Sequence, residues 1–491
     1  MKLVVLRGNK SLPLLNQQDE NSLETKLFNF IKQGTITSDE DAASALYGDQ
    51  KLTANYRMLK SRMRKKLFNQ LYYLEFPADK YSLTNAESIK VESALLKARV
   101  LITANEYKLA DKLIAQAIDA AKASQLTSCM VRALELRLVI HSTVINKKPY
   151  QETYEELQSH YHIEAQERAA TGLFQRAHLE LGASVSVRNA YMPQVPEVLD
   201  KLQALWLNTK STMIYNAYHV LSIFYLELQG DFKAISDVIA HAEQLLAKGE
   251  VNSSWFNHKY NSFIRVYALL RTRQYESGLK LAKDYIQQFE PNTINWFAFM
   301  ENYLLLALHA GRYSLAGELL HKSLENPFYH EIQQPAKERW ELYRRYLLLI
   351  SSLLPRSLQV ELPKKVFVEL IALPKDKVGY NLSLLVLDII KSFSSRNIDD
   401  YESQAERIKK YTAKHLRGEK AERARLFLRL LLLAMKKELD FIQTKEAGKH
   451  MYEKLCQTPP PGDAYAEVEI VPYEQLWEAV LIVLMQRGNR A

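Results

Sequence analysis

A chain of 491 residues is about three times a typical domain, so it holds either several domains or one elongated array. Its 47% hydrophobic and 25% charged residues exclude wholesale disorder. Fifteen glycines, about 3%, are too few for the tight turns of a many-stranded sheet fold or for a glycine-rich nucleotide loop, and an all-α chain is what remains.

At the N-terminus, the apolar run before Arg7 is only four residues, Leu3-Val4-Val5-Leu6, too few for an export signal. The two cysteines, Cys129 and Cys456, lie too far apart to suggest a disulfide framework or a short-spaced zinc set, so a reducing, cytoplasmic setting is expected. After the segment 1–20, helical patterns run from Ser22 to Gln33, Ser38 to Tyr47 and Leu52 to Leu74. Ser38-Asp39-Glu40-Asp41 marks a helix start, and Gly34 and Gly48 mark stops, which predicts a small trihelical domain at 21–80. Tyr56, Leu59, Met63, Leu67, Leu71 and Leu74 form the apolar stripe of its third helix. Seven basic residues and no acid lie between 51 and 66, against +9 for the whole chain. Such local basicity is an electrostatic footprint for phosphate, so Arg57, Lys60, Ser61, Arg62, Arg64, Lys65 and Lys66 are candidate nucleic-acid contacts.

From Ala86 to Cys456 the sequence repeats itself. An aromatic follows a polar or glycine turn at Tyr107, Tyr150, Tyr191, Phe232, Tyr275, Tyr313, Tyr401 and Phe441, with a degenerate copy near Arg356, which sets a period close to 41. That length holds two helices and two short connections. After Tyr107, the residues Ala110, Ile114, Ala117 and Ala121 make one helical face; Ile89, Val91, Leu95, Ala98 and Ile102 supply the partner helix. Gly230 and Gly311 stand where a first helix must end, and a small residue three positions after the aromatic, as at Ala110, Gly278 and Ala316, lets helix axes approach closely.

Gly230-Asp-Phe232-Lys-Ala-Ile and Gly311-Arg-Tyr313-Ser-Leu-Ala316 resemble the opening of the second helix in the tetratricopeptide-repeat superfamily, over about three quarters of the chain, although the period is longer than that repeat's usual ~34 residues. The resemblance implies a right-handed α-solenoid of about nine helical hairpins at 86–456. The stretch from Leu46 through Ser61-Arg62-Met63-Arg64 also resembles the second and third helices of winged-helix domains in bacterial transcription activators that carry a tetratricopeptide-like region. That likeness implies that Arg57, Lys60, Ser61, Arg62, Arg64 and Lys65 face DNA. The departure is that Leu71 to Pro77 continues the helix where the family places a β-hairpin wing.

The array stops at the proline run 459–461. In the final segment, 457–491, Leu476, Trp477, Val480, Leu481, Val483 and Leu484 predict a helix capping the last hairpin. The apolar runs Leu426–Met435 and Tyr346–Leu354 are too short to span a bilayer, so no membrane contact is expected.

Catalysis has no candidate constellation. Gly8-Asn9-Lys10-Ser11 lacks the upstream glycine of a phosphate loop, and His160 and His162 point about 200° apart on a helix, so neither a cofactor nor a metal is expected. A solenoid offers instead a concave surface. Asn257 and Asn295 each lie 18 residues before the next repeat's aromatic, and Asn216, Tyr260, Asn261, Arg265 and Asn302 fall near that register. Asparagine presents both donor and acceptor to a peptide backbone, so these seven are candidate groove residues; they also suit a purely structural role between repeats. Two functions follow as expectations: a non-enzymatic scaffold binding a protein or peptide segment, or a DNA-binding regulator using the basic helix, with the solenoid as sensor or oligomerisation module.

Overall fold

The computed structural model describes residues 19, 21–36, 38–48, 53–71, 83–353, 380–393, 400–416, 421–458 and 469–488. These residues form 21 α-helices and no strand, and no helix among them is long and apolar enough to cross a membrane. The expected segment at 1–18, the repeat copy near Arg356 and the proline run at 459–461 lie outside the described residues. The chain divides into two compact units, Met1–Glu164 and Ala165–Ala491.

The first unit opens with α1 (Leu23–Gln33), α2 (Asp39–Tyr47) and α3 (Ala54–Gln70). Their boundaries follow from capping. Ser22 and Thr53 accept backbone N–H groups at the starts of α1 and α3, Ser38 and Asp41 form a reciprocal capping box on α2, and Gly34 and Gly48 end α1 and α2 in the left-handed region. Leu27, Ala42, Ala43, Tyr56, Leu59 and Met63 make the core. Of the expected apolar stripe, Leu67 is half-buried, Leu71 is exposed, and Leu74 lies outside the described residues.

Next in this unit are α4 (Leu83–Thr103), α5 (Tyr107–Ala123) and α6 (Thr127–Thr143), each packed on the one before, with α4 also touching α6. Helix α7 (Lys147–Gly182) runs 36 residues across the division between units. The period predicts a turn inside it. None forms, because Gly172 is the only helix breaker between Gln151 and Leu181 and no left-handed residue interrupts the run. Tyr150 is therefore the fourth residue of α7, and Tyr191 ends a short helix, α8 (Val185–Tyr191), instead of opening a second one.

In the second unit follow α9 (Val195–Thr209), α10 (Thr212–Gln229), α11 (Phe232–Ala247), α12 (His258–Arg271), α13 (Tyr275–Tyr285), α14 (Ile294–His309), α15 (Tyr313–Leu324) and α16 (Gln334–Leu353). Each helix from α10 to α16 packs on its predecessor, and α12 also packs on α14. Tyr107, Phe232, Tyr275, Tyr313 and Phe441 are all first residues of helices, and Tyr401 is a second residue. Two positions before each of those five first residues stands a left-handed residue: Asn105, Gly230, Arg273, Gly311 and Leu439, with φ between 60° and 79°. The turn closes the same way at the first four; before Phe441 the equivalent bonds are made one residue earlier, by Glu438 and Leu439, both left-handed. At Gly230, for example, its own N–H bonds the Glu227 carbonyl and the Asp231 N–H bonds that of Leu226, both at 3.0 Å. Glycine occupies this strained position only twice; Asn105, Arg273 and Leu439 hold it at a cost of roughly 1 kcal/mol each.

The aromatics that open α11 and α13 pack on the next helix pair. Phe232 meets the ring of Tyr267 edge-on at 5.5 Å with the Arg271 guanidinium over its face, and Tyr275 meets His309 at 5.4 Å. The small residue three positions on does what its size predicts: a Cβ on Gly278 would lie 2.7 Å from the Leu306 Cδ2. That closeness is what lets α13 and α14 pack.

The chain finishes with α17 (Tyr380–Phe393), α18 (Asp400–His415), α19 (Glu422–Lys436), α20 (Phe441–Gln457) and α21 (Tyr473–Gly488). Helix α21 packs on the last hairpin, α19 and α20, and also on α16 and α17; Leu476, Trp477, Val480 and Leu484 are all buried. Its polar bonds reach 162 to 201 positions back: Arg273 pairs with Glu474, Tyr313 Oη donates to Gln475, and Gln475 Nε2 donates to the His309 carbonyl. At the centre lies Arg423, buried, which bonds both oxygens of Glu469 at 2.6 and 2.9 Å, Glu474 at 2.6 Å, and the carbonyls of Leu455 and Thr458. Every donor that points inward finds an acceptor, as a buried guanidinium requires.

His309 Nε2 donates to the Glu469 carbonyl at 2.5 Å within this hub. Burial pushes its pKa down to about 4, and the nearby Arg273 and Arg423 act in the same direction. The unfolded imidazole titrates near 6.5, so the unfolded chain takes the proton first; this stability is complete above about pH 6.5 and is lost as pH falls towards 4. Urea midpoints should therefore fall between pH 6.5 and 5, before carboxylates titrate, by on the order of 1–2 kcal/mol from this one residue. In His309→Gln, whose amide keeps a donor, that pH slope should shrink; an unchanged slope would place the titrating group elsewhere.

Candidate functional site

Successive first helices are tied together by side chains one repeat apart. Glu92 on α4 pairs with Arg132 on α6 at 3.1 Å, 40 residues on; Glu167 on α7 accepts from Ser211, at the start of α10, at 2.6 Å, 44 residues on. His219 on α10 meets Asn261 on α12 at 2.7 Å, 42 residues on. Glu301 on α14 accepts from Arg339 at 2.7 Å and from Tyr343 at 2.6 Å on α16, and Tyr346 donates to the Ser383 carbonyl on α17. All are partly or wholly buried except the Glu92–Arg132 pair and the Arg339 contact.

The candidate groove residues divide on this ladder. Asn261 is buried and its Nδ2 donates to the Asn257 carbonyl at 3.0 Å, which turns its Oδ1 towards His219. His219 must then donate from Nε2, leaving Nδ1 as a bare, buried acceptor with no partner among the described residues, and burial holds this imidazole neutral with a lowered pKa. Asn302 is buried within α14, and Tyr260 and Asn216 are half-buried. Arg265 forms an ion pair with Glu243 at 2.9 Å. Only Asn257 and Asn295 of the seven are exposed. They are not equivalent: Asn257 caps α12 by accepting from the Tyr260 N–H, whereas Thr293 caps α14 and Asn295 lies two residues further on, because α14 is two residues longer than α12.

The basic helix α3 divides in the same way. Lys60 pairs with Asp39 at 2.6 Å and holds its carboxyl below the usual range, while Arg62 and Lys66 both turn to Glu24. The buried Tyr56 donates to Asp39 Oδ1 at 2.8 Å, an oxygen that Lys60 also bonds, and burial and that carboxylate push its phenol up to about 12. Arg57, Ser61, Arg64 and Lys65 remain exposed, with no carboxylate on them among the described residues, within about 100° of helix face. Arg64 lies over the exposed Phe68 ring at 5.4 Å. The region where a wing is expected, 72–82, lies outside the described residues.

Among the described residues, no group of three or more His, Cys, Asp or Glu is placed to hold a metal ion. Comparisons with protein-family models, with curated proteins and with solved structures each return no match.

The candidate groove residues include Asn261 but not its partner His219, and none of Glu167, Ser211, Glu301, Arg339 and Tyr343. A polar residue recurring 38 to 44 positions after another, such as Glu301 before Arg339 and Tyr343, is the signal that finds them.

Proposed function

We propose that the protein is a non-enzymatic interaction scaffold: a right-handed array of helical hairpins, tetratricopeptide-like with lengthened helices, that binds a protein or peptide segment along its first helices. The observation that supports this reading is the ladder of side-chain bonds 37 to 44 residues apart between successive first helices. Helices pinned side by side present a preformed surface, and a preformed surface loses little entropy on binding. Asn257 and Asn295 are the exposed groove residues that can meet a partner, Asn257 through its amide nitrogen while its Oδ1 caps α12. Changing both to alanine should weaken capture of partners from a cell extract while the melting temperature stays nearly constant, since exposed substitutions cost under ~0.5 kcal/mol. Loss of an N-cap at Asn257 sets the upper bound, near ~1 kcal/mol. A melting drop beyond that, with capture unchanged, assigns both residues to structure.

The stripe Arg57, Ser61, Arg64 and Lys65, exposed and without carboxylates, supports a second reading, a DNA-binding regulator. Replacing Arg57, Arg64 and Lys65 by glutamine spares the buried Tyr56, Leu59 and Met63, so folding should survive. If these side chains sit on phosphates, duplex affinity in a gel-shift series should fall and the slope of log affinity against log salt should shrink by ~0.9 for each phosphate no longer neutralised. Absence of binding by the unaltered chain at ~50 mM salt removes this reading.

A further inference from the structure

Helix α3 carries six cations and no acid between Arg57 and Phe68. Over the described residues of 21–71, eight cations stand against four carboxylates, and two of the four, Glu24 and Asp39, are held by Arg62, Lys66 and Lys60. The other two, Glu40 and Asp41, lie in the first turn of α2. The stripe of Arg57, Arg64 and Lys65 is therefore a net positive surface, exposed, with no carboxylate on it among the described residues.

The same face carries a ring. Phe68 follows Arg64 by four residues, so it falls inside the stripe, and it is 52% exposed even with the Arg64 guanidinium over it at 5.4 Å. Beside it opens a cavity of about 750 Å³ among the three helices, walled by Ile31, Leu67 and Leu71 and edged by Lys60 and Arg64. Among the described residues that line it, Asp39 is the one carboxylate, and Lys60 bonds it, so the cavity is also net positive. Holding phosphates requires neither an exposed ring nor an apolar hollow; holding a base requires both.

Resting on the nucleic-acid reading of α3, we infer that this face binds an unpaired strand, with phosphates along Arg57, Arg64 and Lys65 and one base turned onto Phe68 at the mouth of the cavity. A duplex covers the faces of its bases in its own stack and offers Phe68 nothing unless it is opened, whereas an unpaired strand has a free π-face at every base. From Arg57 to Phe68 the helix rises ~16 Å, the length of about five nucleotides at the ~3.4 Å spacing of a stacked strand. Phosphates and base faces are common to RNA and DNA, so the face takes either.

The test titrates the full-length chain at ~50 mM salt against three labelled probes of equal length, oligothymidylate, oligouridylate and a DNA duplex, and reads anisotropy. Both single strands should bind alike and about tenfold or more tighter than the duplex. Phe68→Leu keeps apolar bulk but removes the ring; it should weaken both strands by about tenfold at an unchanged salt slope and leave the duplex unmoved, and Phe68→Tyr should restore strand binding. Replacing Arg64 and Lys65 by glutamine should weaken strands and duplex alike and cut the strands' salt slope by ~0.7 for each phosphate no longer neutralised. All three positions are exposed, so folding should survive, and circular dichroism checks it. Equal or tighter binding of the duplex, or strand affinity unmoved by Phe68→Leu, overturns the strand assignment and leaves the duplex reading standing. If no probe binds the unaltered chain, both fail. A preference of about tenfold for one sugar over the other overturns recognition through phosphates and base faces alone.

Discussion

Residues about forty positions apart in this chain are held within hydrogen-bonding distance, and most other features of the array follow from that constraint. Glu167 reaches Ser211 and His219 reaches Asn261, which brings α7 beside the start of α10 and α10 beside α12. A left-handed turn precedes the second helix of the hairpin, and at Phe232 and Tyr275 the aromatic after the turn packs on the end of the next first helix. Local geometry and long-range packing therefore point to the same arrangement, which is what gives a chain of this length one fold.

The interior of the second unit holds two buried ionic clusters. Arg423 with Glu469 and Glu474 ties α19 to α21, and on α16 the fully buried Glu341 is bonded by Arg344 and Arg345, which hold its carboxyl below its ordinary pKa against the opposing effect of burial. Such clusters add little net stability over apolar packing, but removing one partner leaves a buried charge and costs about 3–5 kcal/mol. They specify which helices meet. Their position in the second unit explains why α21, apolar on most of its faces, sits among α16, α17, α19 and α20 and reaches α14 as well.

Much of this was legible in the sequence, and the unread part has physical causes. The aromatics were legible because each opens a helix after a stereotyped turn, but the turn itself shows as glycine only at Gly230 and Gly311; Asn105, Arg273 and Leu439 adopt it without announcing it. The 36-residue α7 was hidden because a period implies a turn even where no breaker is present. Asn261 reads from sequence as a groove residue and proves to be a buried bracket for His219, since periodicity assigns a register position but not the partner across it. The hub around Arg423 joins residues 46 to 51 positions apart, and the α21 bonds reach as far as 201; no local pattern records either.

The most direct measurement is a double-mutant cycle on His219 and Asn261, using alanine at each site and urea unfolding at pH 7. If the first helices of neighbouring hairpins are pinned one repeat apart, the two changes should couple by roughly 1–2 kcal/mol, while His219 with Asn302, which shares no bond with it, should be additive within ~0.5 kcal/mol. Additivity between His219 and Asn261 themselves would contradict a ladder that pins neighbouring hairpins together.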